Sequence, residues 1–282
     1  MTSSPRKIAV VGIDGCGKST VIRRFLELSP LQKGEARVIH CPLYHTTPNS
    51  PLSDLSRQMD AFSQAADRLG SFELKAAALY LQMTLYGPIE SFFLNTFHPQ
   101  FLLSERHALV DSLAYGPFYG DLVQKDLSEK QWGIPLKKEL NQYKEKTFEA
   151  IQGWHLHENQ RGGRSISFWE IARDVQNIFE QPLEQTISLL GERYRTTLPD
   201  VVLLLDLPGK VAQQRVGERE SQTRELHETE SMLTALRNSY HQVIEKLNDR
   251  VETHIINTGN GDSIDKTLEQ VLHQSGLEPM TR

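Results

Sequence analysis

Residues 12–20 of this 282-residue chain read GIDGCGKST. Three glycines, a lysine and two adjacent hydroxyls in nine positions suit one chemistry, the holding of phosphate. Glycines let backbone N–H groups converge on phosphate oxygens without obstruction by side chains. Gly12, Gly17, Lys18 and Ser19 fit G-x-x-x-x-G-K-[ST]. In that pattern the lysine reaches the β- and γ-phosphates and the hydroxyl ligates Mg2+. Gly15 and Thr20 complete the expected cradle. Cys16 is read as a small filler facing the phosphates, not as a nucleophile, because a thiolate beside a triphosphate is electrostatically opposed.

Such a loop works only between a strand that aims it and a helix whose N-terminus adds a favourable dipole. Lys7–Val11 is a short apolar run that reads as a buried parallel strand, and Val21, Ile22, Phe25 and Leu28 after the loop have helical spacing. Further strands are expected at Arg37–His40, Phe101–Ser104, Val201–Asp206 and Val251–Asn257. Helices are expected at Pro51–Leu69, Phe72–Phe97, Leu207–Arg219, Glu228–Leu247 and Ser263–His273. Alternating apolar strands and amphipathic helices predict an α/β sandwich around a mostly parallel sheet of five strands.

The stretch 117–198 breaks this rhythm and is read as a helical insertion on a single domain spanning 1–282. Within it, Pro135–Ile151 has helical spacing, Gly153–Ser165 reads as a polar mobile loop, and Ser167-Phe-Trp-Glu170 is a capping box. Pro182 is expected to divide the helix that follows. His155, His157 and Glu158 are weak as metal ligands, with two histidines at i, i+2 and no cysteine nearby. Arg161 and Arg164, flanking Gly162-Gly163, read as a solvated loop, with clasping of a substrate as the sharper alternative.

The chain carries 31 Lys+Arg against 36 Asp+Glu, a net charge of −5, which argues against a nucleic acid or anionic membrane as main partner. Cys16 and Cys41 alone make no disulfide framework, and a reduced, cytoplasmic setting is expected. The apolar run at the N-terminus is too short for a signal peptide, and no run approaches the about 18 apolar residues of a spanning helix.

Four segments in order resemble the thymidylate kinases. Gly12-Ile-Asp-Gly15 with the following CGKST is similar to that family's G-x-D-G-x-G-K-[ST]-T. Leu102–Gly116 (LLSERHALVDSLAYG) looks like its strand ending in D-R-[YH] and the following D-S-S-L-A-Y-Q, with one extra residue between Arg106 and Asp111. Pro199-Asp200 and VVLLLD are similar to its P-D-L-x-x-x-L-D strand. Arg224, Glu228, Arg237 and Tyr240 stand near the spacing of its lid and next helix. The resemblance covers 7–116 and 199–275. It implies a P-loop three-layer sandwich with a lid over 215–228, and transfer of the γ-phosphoryl group of ATP, with Mg2+, to a nucleoside monophosphate, dTMP. A homodimer through the long helix Phe72–Phe97 is implied as well.

Carried over by position, the resemblance places Asp14 near the acceptor sugar hydroxyl and Arg106 on the acceptor phosphate. Glu105 stands beside the metal in place of the usual aspartate, with Ser19. Tyr80 stacks on the base, Tyr115 packs on the sugar, and Tyr44 lies in the acceptor-side segment His40–Pro48. Because Cys16 occupies the loop position that carries an arginine in part of the family, the catalytic arginine is expected in the lid, from Arg215, Arg219 or Arg224. Plainer structural readings stand beside these: Arg106 as a strand-end ion pair, Asp14 as a turn cap, Tyr80 as core, the lid arginines as a solvated face.

Three acceptor-side features depart from the family. R-E-P-G-G-T is absent, the acceptor-phosphate arginine is Thr84, and the glutamine after A-Y is Gly116. An alternative acceptor is therefore a nucleoside or other small alcohol, with Asp14 or Glu105 as base. A second alternative is a nucleotide-binding regulatory protein without turnover.

Overall fold

A computed structural model describes residues 5–31, 34–120, 127–218, 229–259 and 262–274. Five strands form one sheet: β1 (Arg6–Val11), β2 (Ala36–His40), β3 (Phe101–Glu105), β4 (Val201–Asp206) and β5 (Glu252–Asn257), in the order β2-β3-β1-β4-β5. Every neighbouring pair is parallel. Ile8, Ala9, Val10 and Val11 of β1 are all fully buried. Successive strand residues point to opposite faces, so helices cover both sides of the sheet. The three-layer α/β sandwich expected from the strand–helix alternation is the fold observed.

β1 is flanked by β3 and β4, so the chain leaves the sheet in opposite directions on either side of it. A crevice opens at the carboxyl ends of strands at such a switch point. α1 (Lys18–Leu28) starts directly at the glycine turn and buries Val21, Ile22, Phe25 and Leu28.

α2 (Ser53–Leu69) matches its expected span, but Phe72–Phe97 is two helices, α3 (Phe72–Met83) and α4 (Tyr86–Phe97). Pro88 explains the division. It has no N–H to give the carbonyl of Thr84 and cannot follow an uninterrupted turn. That carbonyl accepts from Arg195 Nη2 at 3.3 Å instead. The apolar residues of α3 are used within the chain, where α2, α5 (Ala108–Gly120) and α8 (Ile171–Phe179) pack on it. A dimer face along α3 is thereby covered, and the exposed positions of α4 include Ser91, Asn95 and Thr96, which are polar.

Between α5 and β4, no strand occurs among the described residues. α6 (Glu129–Tyr143) and α7 (Thr147–Arg161) replace the single helix expected at Pro135–Ile151 and most of the expected loop at Gly153–Ser165. The chain turns at Lys146, whose φ is +65°. The α7 stripe that faces inward is Phe148, Ile151, His155, Glu158 and Asn159. Its later members are polar, which hid the helical period. His155 Nε2 lies 2.8 Å from the carbonyl of Ile166, and Glu158 pairs with Arg161 and Arg195. These groups serve packing, and no metal-holding cluster of His, Cys, Asp and Glu occurs among the described residues.

The Ser167 capping box forms as expected, and Pro182 separates α8 from α9 (Leu183–Tyr194). After β4 come α10 (Gly209–Gly217) and α11 (Glu230–Leu247), and α12 (Asp262–Gln274) follows β5. Arg219, Arg224 and most of the expected lid lie outside the described residues. No helix among the described residues is long and apolar enough to cross a membrane.

Candidate active site

The glycine turn sits at the carboxyl end of β1. Gly12, Gly15 and Gly17 have φ of +139°, +82° and +96°, a region that side chains disfavour. Two of the three also lack room. A Cβ on Gly12 would lie 2.6 Å from the carbonyl oxygen of Leu205, and one on Gly15 would lie 2.8 Å from that of Ala212. Lys18 Nζ donates to the carbonyls of Gly12 at 3.1 Å and Ile13 at 3.0 Å, and lies 3.7 Å from Asp14 Oδ1. The loop thus curls around its own lysine at the start of α1, a form that suits a polyphosphate.

Cys16 departs from the expectation that it faces phosphate. Its side chain is fully buried, with Sγ 3.9 Å from Lys18 Nζ, and burial pushes its thiol pKa up. It is filler, but inside the core.

Ser19 and Glu105, which the resemblance sets on the metal side, lie side by side. Ser19 Oγ donates to Glu105 Oε1 at 2.9 Å, and His40 Nδ1 lies 3.0 Å from Oε2. Burial works against the Glu105 charge, but His40, Lys18 and Ser19 outweigh it and hold the carboxyl below its ordinary range. A hydroxyl beside an ionised carboxylate offers the hard oxygen donors that Mg2+ takes along with water and phosphate. The residues present therefore fit a magnesium nucleotide: Gly12–Thr20 for the phosphates, Ser19 and Glu105 for the metal.

Arg106 occupies the end of β3 with φ +64°. Its Nη2 forms a close ion pair with Asp14, and Nη1 donates to Asp111 Oδ1 at 3.1 Å and Tyr240 Oη at 3.2 Å. Burial opposes the guanidinium charge, but Asp14 leads the groups that outweigh it, and the pKa moves up. Tyr115 lies under the guanidinium, 5.4 Å from its ring centroid. Asp111 is fully buried and also takes the His107 N–H at 2.6 Å and the Tyr240 hydroxyl at 2.6 Å.

These groups open into a cavity of about 730 Å³ that runs from the glycine turn to α2, α3 and α8. Tyr80 and Tyr115 both line it. Tyr80 belongs to the wall and the core together: its ring packs 5.9 Å from Tyr194, and its hydroxyl accepts from Arg164 and Arg193, each at 3.3 Å. Arg164 is therefore tied to the wall of the cavity. Tyr44 does not reach the cavity. It is fully buried and its hydroxyl donates to Cys41 Sγ at 3.2 Å, because the chain from β2 folds back as a short 3-10 turn over Tyr44–Thr46.

Thr84 is fully buried. Its Oγ1 donates to the Leu81 carbonyl at 2.6 Å and accepts from Trp154 Nε1 at 2.8 Å. Arg215 is within reach of the loop, with Nη1 3.5 Å from the Gly15 carbonyl and Nη2 3.3 Å from that of Thr258.

Sequence reasoning missed several lining residues. Phe179 of α8 lies on Gly116 of α5, where a Cβ would stand 2.1 Å from Phe179 Cζ. The glycine in place of glutamine was the signal, and its meaning required a partner 63 positions away. Asp60, Ser63, Gln64 and Asp67 of α2, with Lys75 and Gln82 of α3, also line the cavity. Their helical spacing was visible, but it reads equally as a solvated face.

No family model and no curated protein matches this chain. Among solved structures, it is similar to deoxyadenosine kinase from M. mycoides with the products dCMP and a flexible dCDP bound. The identity is 12%, the TM-score is 0.51, and the match covers 96% of this chain and 98% of that one. At that identity the likeness is one of fold, over nearly the full length of both chains.

Proposed function

We propose that this chain is a kinase that transfers the γ-phosphoryl group of ATP, with Mg2+, to a hydroxyl of a nucleoside. The observation that carries the acceptor assignment is the charge at the catalytic end of the cavity. Three carboxylates, Asp14, Glu105 and Asp111, stand there against two cations, Lys18 and Arg106. Arg106 is already matched by Asp14 and Asp111, and residue 84 is a neutral threonine whose hydroxyl is engaged. A monophosphate acceptor would bring further negative charge to an end of the cavity where, among the described residues, Lys18 and Arg106 are both already engaged. A neutral hydroxyl gains from a nearby carboxylate, which takes its proton. On this count the dTMP reading gives way to the nucleoside one, which the deoxyadenosine kinase likeness also supports.

Little covalent chemistry is asked of such a protein. ATP supplies the transferable group and Mg2+ the neutralisation of its oxygens. Lys18 and the loop amides orient the phosphates, and Ser19 and Glu105 hold the metal side. Asp14, between Lys18 and Arg106, accepts the acceptor's proton. Arg106 fixes Asp14 and the sugar end, over Tyr115. Arg215 stands beside the loop for the charge on the transferring group, with Arg219 and Arg224 as its alternatives.

The test is a panel of nucleosides and their monophosphates, dTMP included, with ATP and Mg2+. Nucleosides are expected to be phosphorylated, and Lys18→Ala to abolish turnover with the fold retained. Turnover confined to monophosphates would refute the acceptor assignment. ATP binding without turnover on any acceptor would leave a regulatory protein.

A further inference from the structure

His40 ends β2, and the register of the β2–β3 pair sets it directly against Glu105. Register partners on neighbouring parallel strands carry their side chains on the same face of the sheet. The backbone of His40 is held on both sides. Its N–H donates to Oγ1 of the buried Thr47 at 2.9 Å, and the next N–H, that of Cys41, donates to the Glu105 carbonyl at 2.9 Å. The imidazole therefore starts from a fixed base.

The Glu105 carboxylate depends on its partners for its orientation. Among the described residues each of its oxygens has one side-chain hydrogen bond, Oε1 from Ser19 Oγ at 2.9 Å and Oε2 with His40 Nδ1 at 3.0 Å. An ionised carboxylate only accepts, so Nδ1 carries the hydrogen and donates it. The two partners differ in kind. The Ser19 hydroxyl is itself one of the oxygens that fit the metal, whereas His40 serves the carboxylate alone. Ser19 and His40 also divide two spaces. Both line the main cavity, and both line a shallower one of about 400 Å³ between α1 and β2, with Ile22, Leu26 and Val38. A short side chain at position 40 would join the two and let water take the place of Nδ1 on Oε2. Water satisfies the oxygen but does not fix it.

We propose that His40 is a positioning residue: by holding Oε2 it pre-sets the Glu105 carboxylate, so that the Mg2+-dependent part of nucleotide affinity depends on the Nδ1 contact. This rests on the magnesium-nucleotide part of the kinase reading. Freezing a side chain at the moment of binding is a cost against affinity, and a ligating group oriented beforehand by an outer partner gains about 10- to 100-fold in metal affinity.

The experiment is calorimetric titration of the full chain with ADP, once with Mg2+ and once with EDTA, so no turnover is needed. His40→Leu keeps bulk and removes the donor. His40→Asn keeps a donor, because its amide nitrogen stands about where Nδ1 stands, and His40→Gln carries its amide one carbon further. With Mg2+, His40→Leu and His40→Gln are expected to weaken ADP binding about tenfold, and His40→Asn to stay within about threefold of the native chain. With EDTA, all three are expected to match the native chain. A loss of equal size in the two media makes His40 a plain structural residue and overturns the inference, as does unchanged affinity with Mg2+. Should His40→Leu fail to fold, the glutamine and asparagine variants decide, and equal affinities of those two with Mg2+ overturn the inference. The native chain by itself tests the reading beneath. ADP affinity that is the same in both media overturns the metal assignment of Ser19 and Glu105, and absence of ADP binding overturns the nucleotide site, the inference falling in either case.

Discussion

Replacing Tyr240 with phenylalanine removes one oxygen and leaves the ring, which packs edge-on against Tyr115 at 6.2 Å. That oxygen donates to Asp111 at 2.6 Å and accepts from Arg106 at 3.2 Å, in a fully buried setting. A hydrogen bond to a charged group contributes about 1.5–3 kcal/mol. Asp111 keeps the His107 N–H and Arg106 as partners, so its charge remains compensated. The loss therefore falls at the lower end, about 1.5–2 kcal/mol. For a chain of this size that is a fall in Tm of about 3–8 °C.

The kinetic consequence separates positioning from plain stability. Arg106 retains Asp14 but loses the contact that α11 gives it, so the acceptor side loosens while the glycine turn is untouched. Tyr240→Phe is expected to raise the KM for the nucleoside three- to tenfold, up to about 1.4 kcal/mol, with the KM for ATP unchanged. Thermal melts and steady-state kinetics in both substrates provide the readouts. An unchanged Tm with unchanged acceptor kinetics would refute the assigned hydrogen bonds. Equal changes in both KM values would refute the positioning role and leave general destabilisation.

Two further perturbations test other parts of the structure. Gly116→Ala places a methyl 2.1 Å from Phe179 Cζ; the overpacking cost of about 1–3 kcal/mol exceeds the helix-propensity gain of about 0.5–1 kcal/mol. The expected result is a lower Tm and a raised acceptor KM, and a stabilised protein with normal kinetics would show that Phe179 does not rest there. His107 is buried, and desolvation lowers its pKa from 6.5 to about 3. The unfolded chain therefore binds a proton that the folded one refuses, and stability falls as pH drops below 6.5, by about 1.4 kcal/mol per unit at most. His155 and His45 shift in the same direction, so the test is a difference. Asn at 107 can still take the Leu109 N–H that His107 Nδ1 accepts at 3.3 Å. Denaturant unfolding of His107→Asn between pH 6 and 4.5 should show a slope smaller by nearly one proton, and identical slopes would contradict the burial argument.

The sheet and the glycine turn were legible because each rests on local pattern. β1 and β4 are continuous apolar runs, and the loop's glycines, lysine and serine are contiguous. Ser167–Glu170 and Pro182 were legible for the same reason. What was not legible depended on partners distant in sequence. α7 was hidden because its inward stripe ends in His155, Glu158 and Asn159, whose burial is offset by Ile166, Arg161 and Arg195. The break between α3 and α4 turned on Pro88 and on an arginine more than a hundred positions later. Tyr44 was misplaced because spacing gives a residue's element but not the side of the chain on which it folds.

Arg106 shows how these distant contacts make a site. Its φ of +64° is a conformation that costs a residue with a side chain about 1–2 kcal/mol. The backbone is held there by its N–H on the Val10 carbonyl at 2.9 Å, and the guanidinium by Asp14, Asp111 and Tyr240. Those partners come from the glycine turn, α5 and α11, so one strained residue at the end of β3 joins three elements that no local sequence rule connects. Strain persists only where its surroundings over-determine it, and here the surroundings are Asp14, Asp111 and Tyr240 beside the glycine turn. Asp14 belongs both to the phosphate loop and to the Arg106 pair. The glycine turn and the wall of the cavity thus meet at the Asp14–Arg106 pair. In a kinase of the proposed kind the same side chains would align donor and acceptor, as phosphoryl transfer by positioning requires.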